Sequence, residues 1–357
     1  MRLAFVTVGD PARLTGGYLY HREVFARLRA RGLALDEIVA AGAELAEQLA
    51  AAPALGARHR PEAYTATVVD ALARAVCAPW LDRWRARGPL VAMVHELPSV
   101  AGAGDAAELD CEAPLLRADR LIAVSEDGAR RLAARGAPPE RIVVASGGYD
   151  RLGAAPARRP AGLPPTVLAV GQWIPRKGLL ELARAWALIA PSRPGWRLEL
   201  VGETSADGPY AEAVHRALAA APVGSVAVRG PLSDNELARA YAGAAIFALP
   251  SRYEGYGIAF AEALAFGLPV VGCAVGPVPA LVGPEAGFLV PPGDERALAG
   301  TLALLIDDAA LRERMAGAAR ARAIALPTWD DCAARFLAAV EQAVAERRGA
   351  IPPSLLP

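Results

Sequence analysis

Short apolar runs alternate with stretches of helical period along this chain; the alternation stops at a Gly/Pro-rich segment and then begins again. In the first half the runs are RLAFVTV (2–8), LVAMV (90–94), RLIAV (120–124) and RIVVA (141–145), with helices expected at 18–31, 62–87, 105–117 and 126–135. Runs this short and this uniformly apolar suit strands buried on both faces of a parallel sheet, with the intervening helices as the cover. Residues 146–165, SGGYDRLGAAPARRPAGLPP, carry no apolar period and read as an interdomain linker. Beyond it strands are expected at 166–171, 197–201, 225–229, 245–249, 269–272 and 287–290. Helices are expected at 179–189, at 294–324 with a break, and at 329–347, and the final PPSLLP is expected to fray. The fold class implied is α/β, two doubly wound lobes with parallel sheets facing each other across a cleft.

Composition agrees with that and removes other classes. A chain of 357 residues holds two domains of ordinary size. With 38 basic and 38 acidic side chains there is no net charge to attract a phosphate backbone, so no nucleic-acid partner is expected. An apolar content of 54% against 21% charged residues supplies two cores and argues against disorder. Cys77, Cys111, Cys273 and Cys332 form no CxxC pair and read as buried free thiols, and no metal site is expected. The opening apolar run is too short for a signal-peptide core, and no window of 18 uninterrupted apolar residues follows, which gives the expectation of a soluble, cytoplasmic protein.

The segment with the most chemistry is PSRYEGYGIAFAEALAFGLPVVG, residues 250–272. A strand enters it, Gly255 and Gly257 form a turn, and a helix from about Ile258 ends at Gly267. Free N–H groups and the positive end of the helix dipole suit a phosphate there. Glu254 and Glu262 frame the turn, up to about 12 Å apart if the segment were fully helical. A diphosphate at the helix start would place one carboxylate near a sugar and the other near a ribose, whose paired hydroxyls an ionised carboxylate accepts. As an isolated E-x7-E, the same spacing is better read as a solvated acid and a buried helix contact.

In GQWIPRKGLLEL, residues 171–182, Arg176 and Lys177 lie where a strand-ending loop meets a helix, the sheet edge at which open α/β folds bind ligands. Of the 38 basic residues one alone is lysine, Lys177. Adjacent cations at that edge can neutralise a departing diphosphate, while an Arg-Lys pair elsewhere is ordinarily solvated surface.

Together, VLAVGQWIPRKG, LPSRYEGYGIAFAEALAFGLPVVG and the N-terminal TGGYLYHREVFARLRARG resemble the corresponding segments of family 4 glycosyltransferases with the GT-B fold, and so do ADRLIAVSEDGARRL and SGGYD. The likeness runs over most of residues 1–340 and is weakest at about 43–88. It implies two Rossmann-like lobes: 1–153 on the acceptor side, joined by the C-terminal helix 329–350, and 160–328 on the nucleotide-sugar side. It implies a retaining, metal-independent hexosyl transfer from a nucleotide-diphosphate sugar, with a UDP-sugar expected ahead of GDP-mannose, to a small-molecule, glycan or lipid acceptor. No cofactor is expected beyond the nucleotide-sugar co-substrate. By position in the family's motifs, Gly16 and Gly17 approach the donor diphosphate, and His95, in MVHELPS, lies near donor sugar and acceptor. Lys177 meets the diphosphate, Glu254 the sugar hydroxyls and Glu262 the ribose. The backbone of Gly255, Tyr256, Gly257 and Ile258 holds phosphate or sugar oxygens, with Arg176 as a further donor-side cation.

Two departures bear on the donor: Gln172 stands where many members carry Arg, and Ala280 where an acidic residue is frequent. Whether Arg176 compensates for Gln172 is left open by the sequence. His21, His59 and His215 match no motif and read as structural or surface residues. The Arg-rich stretch 18–31 is compatible with a peripheral contact on the inner face of an anionic membrane, with a solvated face as the ordinary reading. Two rivals are a catalytically silent nucleotide-sugar-binding subunit, encouraged by Gln172, and a dinucleotide-dependent oxidoreductase, opposed by the lack of GxGxxG after Val8 or Val170.

Overall fold

The structure, a computed structural model, describes residues 1–13, 15–99, 106–156 and 159–349. The expected fraying of PPSLLP and the first residue of the 105–117 helix lie outside these. Packing divides the chain into two units: residues 1–13 and 17–147 together with the Trp329–Gly349 helix, and residues 148–328 with 15–16.

In the first unit six parallel strands, β1 (Arg2–Val8), β2 (Ala34–Ala40), β3 (Ala66–Asp70), β4 (Leu90–Val94), β5 (Arg120–Ala123) and β6 (Ile142–Val144), lie in the order β2-β1-β3-β4-β5-β6. β1 runs in register with β2 from Arg2 opposite Ala34 to Val8 opposite Ala40, and pairs with β3 on its other side. Two of these strands depart from the sequence expectation. The 62–87 region, expected as helix, contains β3, which every neighbour buries, followed by the short helices Arg74–Cys77 and Leu81–Arg87. Its Thr67, Val68 and Val69 favour a pleated strand, and the alanines on either side mask that signal with helix propensity. β2 was concealed by charge: it is an edge strand whose Asp36 and Glu37 are neutralised by Arg2 and Arg29, each at 2.6 Å. The Leu45–Arg58 helix, closed by a reciprocal cap between Glu44 and Glu47, is a further element that the apolar pattern did not announce.

The last helix, Trp329–Gly349, turns Trp329, Cys332, Phe336, Val340 and Val344 inward against this same unit, with Phe336 edge-on to Phe25 and Trp329 edge-on to Tyr20. Full burial of an aromatic or large aliphatic side chain is worth about 1.5–3 kcal/mol, so this stripe alone secures the helix.

The second unit repeats the design with β7 (Thr166–Val170), β8 (Arg197–Val201), β9 (Val226–Arg229), β10 (Ile246–Leu249), β11 (Val270–Cys273) and β12 (Gly287–Val290), ordered β12-β11-β10-β7-β8-β9 and all parallel. All six lie within a residue or two of their expected spans: most are apolar runs bounded by Gly, Pro or a charged loop, and β8 (RLELV) alternates charged and apolar residues. Trp173, Trp186, Tyr241, Phe247 and Phe260 are fully buried in the core between this sheet and its helices. The strand order reverses between β7 and β10, and in open α/β sheets the carboxyl ends of the two strands at such a reversal form the ligand crevice. In the first unit the reversal falls between β1 and β3.

No helix among the described residues is long and apolar enough to cross a membrane. The four cysteines are buried and free.

Candidate functional site

The loops leaving β7 and β10 carry the two motifs that the sequence singles out. Gln172 to Gly178 leaves β7, with Pro175–Lys177 as one 3-10 turn, and the Leu179–Ile189 helix starts at once. Gly178 is left-handed (φ 67°), and a Cβ there would stand 2.1 Å from the Pro250 carbonyl oxygen, so only glycine lets this loop lie against the segment that follows β10. Arg252 N–H donates to the Arg176 carbonyl at 2.8 Å and closes the same contact.

This approach brings Lys177 onto Glu254. Lys177 Nζ lies 2.7 Å from Glu254 Oε1, which also accepts from Ser251 Oγ at 2.7 Å. The side chains are 15% and 7% exposed. Burial pushes the Glu254 carboxyl upward, but the charges of Lys177 and Arg176 and the two hydrogen bonds outweigh it and hold the group below its ordinary range. Glu254 is thus a buried anion. Its ammonium partner has three donors, of which one is turned to Glu254.

Three residues further, Gly257 (φ 102°) stands at the N-cap of the Ile258–Ala265 helix, and no side chain caps that end. Elsewhere in this unit Asp207, Ser233, Asp294 and Asp308 each accept from the first turn of their helices, and the Tyr210 hydroxyl accepts the Leu180 N–H at the start of the Leu179–Ile189 helix. The Ile258 helix therefore leaves first-turn donors for something other than its own cap. Gly255 and Tyr256 lie in the turn immediately before it.

Glu262 sits in the second turn of that helix, where the structure assigns it partners that the sequence did not suggest. Arg151 donates to Glu262 Oε1 through Nε at 3.0 Å and Nη2 at 2.6 Å, and the Tyr241 hydroxyl donates to Oε2 at 3.1 Å. Arg151 also pairs with Asp234. Side-chain exposure is 5% for Arg151 and 3% for Glu262. Here burial prevails over Arg151 and the hydrogen bonds, and the Glu262 carboxyl is raised. The two carboxylates of the E-x7-E pair are thus pushed in opposite directions, and of about four acceptor positions on Glu262 three are filled by protein.

Arg176 reaches the Tyr253 carbonyl at 3.5 Å. Gln172 donates through Nε2 to Glu203 Oε2 at 2.8 Å. The Ala280 carbonyl accepts from Arg322.

Gly16 and Gly17 open the Gly16–Ala30 helix that follows β1, and His95 follows β4. A Cβ on Gly17 would come 3.6 Å from His95 Cδ2, so the two approach closely. His95 Nε2 is 2.8 Å from His21 Nε2, and His21 Nε2 is 3.7 Å from Asp70 Oδ2. This corrects the reading of His21 as an unrelated structural or surface residue, since it is buried directly on His95. Burial lowers the His95 pKa to about 4 and that of His21 well below its ordinary value, while burial raises Asp70 to about 6. His59, by contrast, is a core histidine on Thr67 at 3.1 Å, and His215 tilts against Trp173. The arginines of the 18–31 stretch meet carboxylates: Arg27 pairs with Glu23 at 2.9 Å and Asp330 at 3.1 Å, and Arg29 with Glu37.

The Gly17 contact gives a test that separates fold from ligand. Replacing a helical glycine by alanine stabilises by up to about 1 kcal/mol, and 3.6 Å is an ordinary contact, so Gly17→Ala is expected to keep or raise the melting temperature. If the helix start is a ligand surface, the added methyl group lowers kcat/KM by tenfold or more. Unchanged kcat/KM would remove Gly17 from the ligand surface.

Two family models match the chain: "Glycosyltransferase Family 4" over residues 47–151 and "Glycosyl transferases group 1" over 156–322. The D-inositol 3-phosphate glycosyltransferase of Thermomonospora curvata is 32% identical over 290 residues, covering 72% of this chain and 67% of that protein. The MMP alpha-(1->4)-mannosyltransferase of Mycolicibacterium hassiacum is 33% identical over 175 residues, 48% of this chain and 41% of that protein, so the chain spans well under half of that relative. Among solved structures, sucrose-phosphate synthase from Thermosynechococcus elongatus superposes with a TM-score of 0.81 at 25% identity, covering 97% of this chain and 100% of that one. Anabaena HepE, solved with UDP and glucose, gives 0.74 at 20% identity over 98% and 100%.

Proposed function

The chain belongs to glycosyltransferase family 4, group 1, with the GT-B fold, and from that premise we propose that it transfers a sugar from a nucleoside-diphosphate donor to an acceptor with retention of anomeric configuration and without a metal. The observation that carries this reading is the buried Lys177–Glu254 pair at the reversal of the second sheet, beside a helix start that no side chain caps. The donor diphosphate lies on the first-turn N–H groups of the Ile258–Ala265 helix, with Lys177 and Arg176 supplying the positive charge that a metal ion provides elsewhere. As the bond to the departing diphosphate breaks, its oxygens gain charge, and an ammonium already held in place by Glu254 stabilises them without reorganising. Glu254 accepts from the sugar hydroxyls through the oxygen that Lys177 and Ser251 leave over. Glu262 accepts from the ribose through its remaining acceptor position, and Arg151 keeps its carboxyl oriented. On the first helix of the chain Gly16 and Gly17 are assigned to the donor diphosphate, and His95 to the acceptor and the transferred sugar. A UDP-sugar is the expected donor.

A thermal-shift screen of UDP, GDP, ADP and dTDP with their common sugars tests the donor assignment. A ligand at 100 times its dissociation constant adds about 2.7 kcal/mol, and UDP compounds are expected to give the largest shift. A larger response to GDP-mannose would reassign the base, and no response to any of them would overturn the reading. In EDTA, product of retained configuration is expected; inverted product, or activity that returns only with manganese, would contradict it.

The two carboxylates have separable roles. Glu262→Ala is expected to weaken free UDP and the nucleotide sugar alike, because both contain ribose. Glu254→Ala is expected to leave UDP affinity within a fewfold of wild type and to reduce turnover. Calorimetry with UDP on both variants decides this, and equal losses would sink the division of roles.

A further inference from the structure

The reversal of the first sheet, between β1 and β3, holds an arrangement of its own. Asp70 ends β3, His95 follows β4, and His21 comes from the helix after β1, so three chain segments deliver one titratable side chain each to the carboxyl edge of the sheet. Their ligating atoms all lie within 4.8 Å of one another. Two nitrogens on one tetrahedral zinc stand about 3.3 Å apart for bonds of about 2.0 Å. At 2.8 Å, the His21 and His95 nitrogens share a proton instead.

We propose that Asp70 and His21 are positioning residues that fix the tautomer of His95: Asp70 keeps the proton of His21 on Nε2, His21 donates it to His95 Nε2, and His95 carries its own proton on Nδ1. Only one of the two Nε2 atoms can be the donor in a contact between neutral rings. If His95 were the donor, His21 would present an Nε2 lone pair to the Asp70 carboxylate 3.7 Å away, and the two would repel. With the proton on His21 the same neighbour attracts. Asp70 is committed as an acceptor: Oδ1 takes the Leu72 N–H at 3.0 Å and Oδ2 takes the Thr7 hydroxyl at 2.7 Å. The rings are held as well. His21 stacks on Phe25 (centroids 5.6 Å, 8°) and meets Phe5 edge-on, and His95 meets Tyr20, whose hydroxyl is tied to the Ala145 carbonyl at 2.7 Å. Resting on the proposed transfer, the consequence is that His95 offers substrate a donor of fixed identity, an Nδ1–H, where an unsupported imidazole would exchange between two.

The test is nitrogen-15 NMR of the full chain labelled at its four histidines, assigned by single His→Gln changes. At pH 7.5 the expected spectrum shows His21 protonated on Nε2 and His95 on Nδ1. In Asp70→Asn and in His21→Phe the His95 proton is expected to move to Nε2 and kcat to fall about tenfold with KM little changed. In His21→Gln, whose amide restores a donor to His95 Nε2, the Nδ1 tautomer and most of the turnover are expected to return. A wild-type His95 protonated on Nε2, or a His95 tautomer indifferent to both Asp70→Asn and His21→Phe, overturns the proposal. The wild-type spectrum decides even if Asp70→Asn fails to fold. Full turnover in His95→Ala alongside the expected spectra would instead remove His95 from the transfer and leave the tautomer assignment standing.

Discussion

Lys177→Ala is expected to lower kcat by roughly 100-fold or more, the loss typical of one donor aimed at transition-state charge, and to destabilise the fold as well. The second effect follows from Glu254. Removing one member of a buried ion pair leaves an uncompensated charge and costs about 3–5 kcal/mol, and Glu254 is 7% exposed with its carboxyl held anionic. The sign with pH is fixed by the lowered pKa of Glu254. In wild type the pair stabilises above the ordinary carboxylate range and fades as pH falls through the depressed value, so Lys177→Ala differs most from wild type near neutrality. A second substitution separates stability from chemistry: Lys177→Ala with Glu254→Gln is expected to recover most of the melting temperature and none of the turnover. Recovery of turnover in the double variant would contradict a direct role for the ammonium. Lys177→Arg keeps the charge but replaces a compact three-donor group by a planar fork, and an intermediate kcat with near-normal melting is expected. Gln172→Arg is expected to give little gain, because Glu203 at 2.8 Å from the Gln172 amide would pair with the new guanidinium.

The second large effect is expected at Arg151. Arg151→Met leaves Glu262 with Tyr241 as a hydrogen-bond partner in a nearly dry site, at a cost of about 3–5 kcal/mol. Its deficit, like that of Lys177→Ala, grows with rising pH, but in the window set by the raised pKa of Glu262 rather than the lowered one of Glu254. Burial raises the Glu262 pKa already, and losing Arg151 raises it further, so the folded state of the variant binds a proton that the unfolded state has released. Below the unfolded value that penalty vanishes, and it grows as pH rises through the elevated one. Denaturant unfolding of Arg151→Met at pH 5 and pH 8 is therefore expected to show the larger deficit at pH 8, and Arg151→Met with Glu262→Gln to abolish the difference. A deficit that is equal at both pH values would mean that Glu262 is not charged beside Arg151.

What the sequence makes legible, and what it hides, divides along physical lines. β7 to β12 are readable because they are apolar runs closed by Gly, Pro or a charged loop, or, in β8, an alternation of charged and apolar residues. β2 was hidden by Asp36 and Glu37, whose charges make sense only against Arg2 and Arg29. β3 was hidden by alanines that favour helix on either side of a Thr-Val-Val strand. At the candidate site, Glu254 and Glu262 belong to one contiguous motif, which a reading along the sequence singles out. Partners brought in from afar were not: Arg151 lies 111 residues before Glu262, and His21 lies 74 before His95. No local pattern marks such pairs. Two weaker signals exist, an arginine directly after the Gly-Tyr-Asp with which residues 148–328 begin, and a histidine four residues after a Gly-Gly helix start. Lys177 stood out for a different reason, as the lone lysine in a chain whose other basic residues are arginine.

The proposed transfer requires a nucleoside diphosphate held by Lys177 and the start of the Ile258–Ala265 helix, with no metal between them. The most direct measurement is calorimetric titration of UDP and GDP in EDTA into the wild-type chain and into Lys177→Ala with Glu254→Gln. One of the two nucleotides is expected to bind the wild type with every divalent cation chelated, and to lose at least tenfold in affinity in the double variant while the variant melts near wild type. Binding that requires a divalent cation, or affinity that the double variant retains in full, would contradict it.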